Sequence, residues 1–196
     1  MKLRNEIIAF EGAPGAGKTT AIQILAKKIF GKKAAVLPQV ILSQYKNDDL
    51  FVSKRYLDAE IKKATRIRQL QKCYQYILLD RTFLATLAYS YARSRLEQNS
   101  QSHLELIKYF RQLDRVYKFP RPTHLFFLFV KTSRGLERRA DYAKSKKFKR
   151  WFDPRFLKYF DGFYRRHIGF DMPRPIIIDT TNMTKERIVS AVLEYL

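Results

Sequence analysis

The stretch that most constrains this chain is Gly12-Ala13-Pro14-Gly15-Ala16-Gly17-Lys18-Thr19, with a second threonine at Thr20. It fits the spacing G-x-x-x-x-G-K-[ST], and its flanks supply the context that spacing needs. Glu6-Ile7-Ile8-Ala9-Phe10 reads as a buried strand entering the loop. Residues from Thr20 to Ile29 read as a helix leaving it. A strand, a glycine-rich turn and a helix start form a nest of backbone N–H groups at the positive end of a helix dipole. Such a nest holds phosphate. Gly12, Ala13, Pro14, Gly15, Ala16 and Gly17 are expected to wrap the phosphates, with Thr20 at the start of the helix. Lys18 is expected to reach the β- and γ-phosphates and the Thr19 hydroxyl to sit on Mg²⁺, so ATP with Mg²⁺ is the expected ligand.

The rest of the chain alternates between strand and helix. Short apolar runs occur at Ala34-Ala35-Val36-Leu37, Tyr76-Ile77-Leu78-Leu79-Asp80, Leu125 to Val130, and Pro175-Ile176-Ile177-Ile178-Asp179. Helical periodicity fills much of the intervening sequence: about Val52 to Tyr74, Phe83 to Glu97, Leu104 to Tyr117 and Lys185 to Tyr195, the last with Thr184 as N-cap. Arg134 to Arg139 reads as a helix start, and a loop is expected around Lys46-Asn47-Asp48-Asp49. Apolar strands alternating with helices imply a parallel sheet covered on both faces. With right-handed crossovers this is a doubly wound α/β fold whose ligand site lies at the C-terminal strand ends. At 196 residues without a linker, the whole chain is expected to form one domain.

Charge narrows the partners. Lys plus Arg number 39 against 18 Asp plus Glu, a formal net charge of +21. A field of that sign favours nucleotides and keeps nucleic acid among the candidate partners. No apolar run approaches the length of a membrane span, and no signal-peptide pattern opens the sequence, so a cytoplasmic location and no membrane partner are expected. The lone cysteine, Cys73, cannot form an internal disulfide and is expected to pack in the core.

Two further places carry chemistry. Asp80-Arg81 ends the third strand, at the edge that faces the phosphates. A carboxylate there can hold Mg²⁺ and a guanidinium there can grip phosphate with two parallel hydrogen bonds; the alternative is a helix-capping Asp beside a structural Arg. After the fourth strand comes a basic segment with Arg134, Arg138, Arg139, Lys144, Lys146, Lys147, Lys149 and Arg150. From about 134 to 152 it suits a lid whose cations close over a triphosphate, against the alternative of a solvated basic face.

Phe10 to Thr20, Asp80-Arg81-Thr82 followed by Leu87-Ala88-Tyr89, and Gly135-Leu136-Glu137-Arg138-Arg139 together resemble thymidylate kinases and the related nucleoside and nucleotide kinases. The resemblance spans nearly the whole chain. It implies a sheet order of 2-3-1-4-5 and transfer of the ATP γ-phosphoryl to a nucleotide or nucleoside. Lys18, Arg81, Arg138 and Arg139 would be the catalytic cations, Asp80 and Thr19 the metal ligands, and Asp179 to Asn182 neighbours of the adenine. A homodimer is a candidate assembly.

The departures from that pattern are informative. Where thymidylate kinases carry Arg-Glu-Pro and deoxynucleoside kinases a Glu, this chain reads Val36-Leu37-Pro38-Gln39-Val40, and no carboxylate occurs from Ala34 to Asn47. A hydroxyl acceptor wants a base, whereas a phosphate acceptor wants cations, so the segment leans toward a nucleoside monophosphate. Asp48, Asp58 and Asp80 remain as alternative bases. Ser90 stands where thymidylate kinases have a Gln, so selectivity for thymine is not implied. Tyr56, Phe83 and Tyr89 are candidates to stack on an acceptor base, with core packing expected for at least one. A deoxynucleoside kinase, a kinase of polynucleotide 5′-hydroxyl ends and a nucleotide-driven switch are the alternative readings.

Overall fold

A computed structural model of the chain describes residues 5–42, 49–140, 150–166 and 170–196. Five parallel strands form one sheet in the order β2-β3-β1-β4-β5: β1 Glu6–Glu11, β2 Ala34–Leu37, β3 Tyr76–Asp80, β4 His124–Phe129 and β5 Ile176–Asp179. This is the order that the resemblance implies. The three inner strands are nearly continuous apolar runs because helices cover both faces, and Ile8, Phe10, Leu78, Phe126 and Phe127 are fully buried. The edge strands leave residues to solvent, Val36 on β2 and Ile177 and Asp179 on β5. Register aligns the chemistry: Phe10 pairs with Asp80, Glu11 with Phe127 and Phe129 with Asp179, so the strand ends form one edge.

Seven α-helices are described: α1 Lys18–Ile24, α2 Asp49–Leu70, α3 Phe83–Leu96, α4 Gln101–Tyr117, α5 Thr132–Arg138, α6 Pro154–Arg166 and α7 Lys185–Leu193. The first helix continues as a π-helical segment, Leu25–Phe30, before β2. Two threonines cap helices, Thr184 as the sequence predicts and Thr82 in addition. The Thr184 hydroxyl accepts from Arg187 N–H to start α7, and the Thr82 hydroxyl accepts from Leu84 N–H to start α3. Since Thr82 caps α3, Asp80 is not that helix's cap.

Beyond the helix that opens the lid segment of about 134 to 152, the sequence reading assigns none before residue 175, yet α6 is central to the core. Phe156, Leu157, Phe160, Phe163 and Tyr164 recur at i, i+1, i+4, i+7 and i+8, all buried. Its rings pack against α3 and the sheet; Tyr164 stacks on Phe127 with centroids 4.4 Å apart. Arg155, Lys158, Arg165 and Arg166 lie between the rings, so the stretch reads as basic before it reads as amphipathic. Cys73 corrects a second expectation. It is exposed in the turn after α2, because that helix ends at Leu70 and its last buried residue is Leu70 itself.

Candidate active site

The loop between β1 and α1 takes its shape from glycines with positive φ. A Cβ on Gly12 (φ 135°) would lie 2.2 Å from the Leu128 carbonyl oxygen, and one on Gly15 (φ 80°) 2.7 Å from that of Gly135. The loop is thereby clamped between β4 and α5. Lys18 Nζ donates to the carbonyls of Gly12 at 3.0 Å and Ala13 at 2.9 Å. Burial, reinforced by the charge of Arg81, pulls the Lys18 ammonium down to about 7, against Asp80 and Glu11. A bound polyphosphate would oppose that effect.

At the end of β3, Thr19 Oγ1 donates to Asp80 Oδ2 at 2.6 Å. Asp80 Oδ1 and Arg81 Nε are buried without a hydrogen-bond partner among the described residues. Arg81 has φ 66°, a left-handed conformation, and its guanidinium lies 5.1 Å from the centre of the Trp151 ring. A buried carboxylate oxygen and a guanidinium nitrogen beside the glycine loop thus lack a partner among the described residues, and buried polar groups normally have one. A hydroxyl beside a carboxylate is also a hard-oxygen set that suits Mg²⁺.

Glu11 binds this corner together. Its Oε1 accepts from Thr82 N–H at 2.7 Å and the Thr82 hydroxyl at 2.8 Å, while Oε2 accepts from Tyr164 OH at 3.0 Å. Burial raises its carboxyl above the ordinary value, although Arg81 and these hydrogen bonds counter the rise. β1, the β3–α3 turn and α6 therefore meet at one carboxylate. The sequence reading gives Glu11 no role of its own, and its partner Tyr164 lies on the unassigned helix.

Arg138 and Arg139, at the end of α5, separate. Arg138 Nη1 donates to Gly15 O at 3.2 Å, and its Nη2 lies within 2.9 to 3.3 Å of the carbonyls of Thr180, Thr181 and Met183. It ties α5 to the phosphate loop and to the turn after β5. Arg139 lies close enough to Lys18 to help lower its pKa. The same turn is tied to the loop by the Thr180 hydroxyl, which donates to Ala16 O at 3.0 Å. Asp179 accepts from Thr181 N–H there, and Asn182 is exposed beside it. Arg134 is exposed and pairs with Glu137, away from the loop. Lys144, Lys146, Lys147 and Lys149 lie outside the described residues, as does Asp48.

A cavity of about 250 Å³ opens beside Arg81 and Thr82. From α2 it takes Asp49, Val52, Ser53, Tyr56 and Glu60, one helical stripe; α3 adds Ala85, Thr86 and Tyr89; Gln39, Val40 and Trp151 complete it. Tyr56 and Tyr89 thus face the cavity, whereas Phe83 is buried in a cluster with Phe110 and Phe119. Ser90 lines a smaller neighbouring cavity. Asp58 is engaged by the Tyr109 hydroxyl and does not line the larger one. Arg150 donates to Tyr89 OH at 2.9 Å and to Asp49 at 3.1 Å, holding Trp151 at the cavity wall. Glu60 and Trp151, with Ser53, Ala85 and Thr86, are lining residues that sequence reasoning missed. The spacing of Glu60 from Asp49, Ser53 and Tyr56 on one helical face carried that signal for Glu60.

A family model described as an AAA domain matches residues 7–163. The chain belongs to that family. No curated protein matches. Among solved structures, thymidylate kinase from Candida albicans is similar over 98% of this chain and 91% of its own, with a TM-score of 0.74 and 17% identity. Deoxyadenosine kinase from M. mycoides with bound dATP is similar over 97% of this chain and 98% of its own, with a TM-score of 0.70 and 17% identity. The AAA-family chain thus has the phosphate-loop fold of nucleotide and nucleoside kinases.

Proposed function

We propose that the protein is an ATP-dependent phosphotransferase that moves the γ-phosphoryl of ATP to a nucleoside or nucleotide bound in the cavity. The observation that carries this is the junction at Asp80-Arg81. The loop, through Thr19 on Asp80, and an aromatic-lined cavity, through Arg81, meet there, and two buried polar atoms, Asp80 Oδ1 and Arg81 Nε, are left without partners among the described residues. A hydrolytic switch has no need of a second, aromatic-lined cavity at that point; a transferase does.

In this reading the loop N–H groups and Lys18 bind the β- and γ-phosphates, and Lys18 exchanges its two carbonyl partners for phosphate oxygens. Arg81 and Arg139 offset the charge of the transferred group, and Arg138 holds α5 against the loop. Thr19 and Asp80 would hold Mg²⁺, which when bound neutralises phosphate charge. Asp179 and Asn182 flank the nucleotide base of ATP. Tyr56, Tyr89 and Trp151 supply flat apolar walls for the acceptor. The test is ADP release from Mg²⁺-ATP with nucleosides, nucleoside monophosphates and short 5′-hydroxyl oligonucleotides. Acceptor-dependent release with a small acceptor is expected. Release that ignores every acceptor would favour the switch, and release with oligonucleotides alone would favour the polynucleotide kinase.

A further inference from the structure

The monophosphate leaning rests on the missing carboxylate after β2. Gln39 of that segment does line the cavity, and so does a carboxylate from a different element, Glu60 of α2. α2 runs antiparallel to β3, and one turn beyond Glu60 the Lys63 ammonium donates to the carbonyls of Asp80 at 3.2 Å and Arg81 at 2.6 Å. Glu60 therefore sits at the level of the strand end, where the cavity meets the phosphate loop. It is buried, with Lys63 3.9 Å away as its ion-pair partner.

Charge then selects the acceptor. The chain carries a net charge of +21, yet among the described residues the charged ones lining this cavity are Arg81, Asp49 and Glu60. Asp49 is already paired with Arg93 and Arg150. Lys63 donates to two backbone carbonyls and also pairs with Glu60. Among the described residues that leaves Arg81 as the lining cation and one buried carboxylate, Glu60, offset in part by Lys63, with Glu11 close enough to act on it. A dianionic phosphate would meet Glu60 and Glu11 as like charges; a neutral hydroxyl would meet an acceptor for its proton.

We propose that Glu60 is the base of the transfer, and that the acceptor is the hydroxyl of a nucleoside-type alcohol rather than a phosphate. This rests on the phosphotransferase reading. The acceptor O–H proton passes to a Glu60 carboxylate oxygen while the hydroxyl oxygen bonds to the γ-phosphorus. The bond from that phosphorus to the β–γ bridging oxygen breaks with its electron pair, and ADP leaves. Glu60 then releases the proton to solvent. Burial lifts its carboxyl to about 7, with Glu11 adding to the rise and Lys63 opposing it, which suits a base that works near neutrality.

The test compares wild type, Glu60→Gln and Glu60→Asp with nucleosides and their 5′-monophosphates, across pH 5.5 to 8.5 (roughly the window in which such a base titrates). Thermal melting and binding of a non-hydrolysable ATP analogue check each variant's fold and donor site. Nucleosides should be the acceptors. Glu60→Gln should lower kcat by about 10² to 10⁴-fold with analogue binding unchanged, and should remove the acidic limb of the rate profile. Glu60→Asp should keep that limb at a lower kcat, and it carries the test if the Gln variant fails to fold. Preference for monophosphates, or a Glu60→Gln enzyme with full kcat or an intact acidic limb, overturns the inference and leaves phosphotransfer standing. ADP release with neither class of acceptor overturns both.

Discussion

At the scale of single residues the account turns on Arg81 and Glu60. Arg81 is held in a left-handed conformation under the Trp151 ring, with its Nε unpaired among the described residues. Lysine offers a point charge in place of a planar fork that can both stack and donate in parallel. Arg81→Lys is therefore expected to lower kcat/KM for the acceptor by about 10²-fold while an ATP analogue binds as before. Wild-type kinetics in that variant would make the residue structural. Glu60 makes a prediction about stability. Its folded value of about 7 lies above the ordinary 4.5, so the folded protein binds a proton that the unfolded chain has released. That contribution is complete below pH 4.5 and is lost as pH rises through about 7, a span worth about 3 kcal/mol. Chemical denaturation of wild type and Glu60→Gln across this range should show the variant gaining relative stability as pH rises. A pH-independent difference would contradict the burial of an ionisable group there. Arg81 was legible from its place after a strand. Glu60 was not, because its spacing from Ser53 and Tyr56 puts it on one helical face with them but does not say what that face meets until the helix is docked.

At the scale of elements, the motifs that sit on local spacing were legible and those that depend on docking were not. The β1 strand, the glycine loop and the start of α1 follow from apolar run, glycine and Lys-Thr in sequence, and they are where the sequence reading put them. Helix α6 was hidden by its own surface, since its arginines and lysines surround a ring of aromatic residues that only the sheet and α3 give a reason to bury. It also carries Tyr164, which helps hold Glu11 at the mouth of the loop. Phe160 is fully buried against Trp151 and Tyr164. Phe160→Ala is expected to cost about 3 to 5 kcal/mol of unfolding free energy. A loss under about 1 kcal/mol would show that α6 is an appendage rather than part of the core.

At the scale of the whole molecule, one edge of the sheet gathers everything the proposed reaction needs. Strand order 2-3-1-4-5 puts β1 between β3 and β4, so the loop after β1 lies between Asp80-Arg81 on one side and α5 with Arg138 on the other. The donor half was readable from sequence because glycine, lysine and threonine at fixed spacing have few other uses together. The acceptor half was not, since its walls come from α2, α3, the segment after β2 and Trp151, brought together only by the fold. The central claim is that these halves work on one another through Lys18. The most direct measurement incubates γ-labelled ATP and a small nucleoside or nucleotide acceptor with wild type and with Lys18→Ala, and follows the label. The account predicts that wild type places the labelled phosphoryl on the acceptor and that Lys18→Ala reduces that transfer by at least about 10²-fold with its fold intact. Label released as free phosphate at the same rate with or without acceptor, or equal transfer by Lys18→Ala, would contradict it.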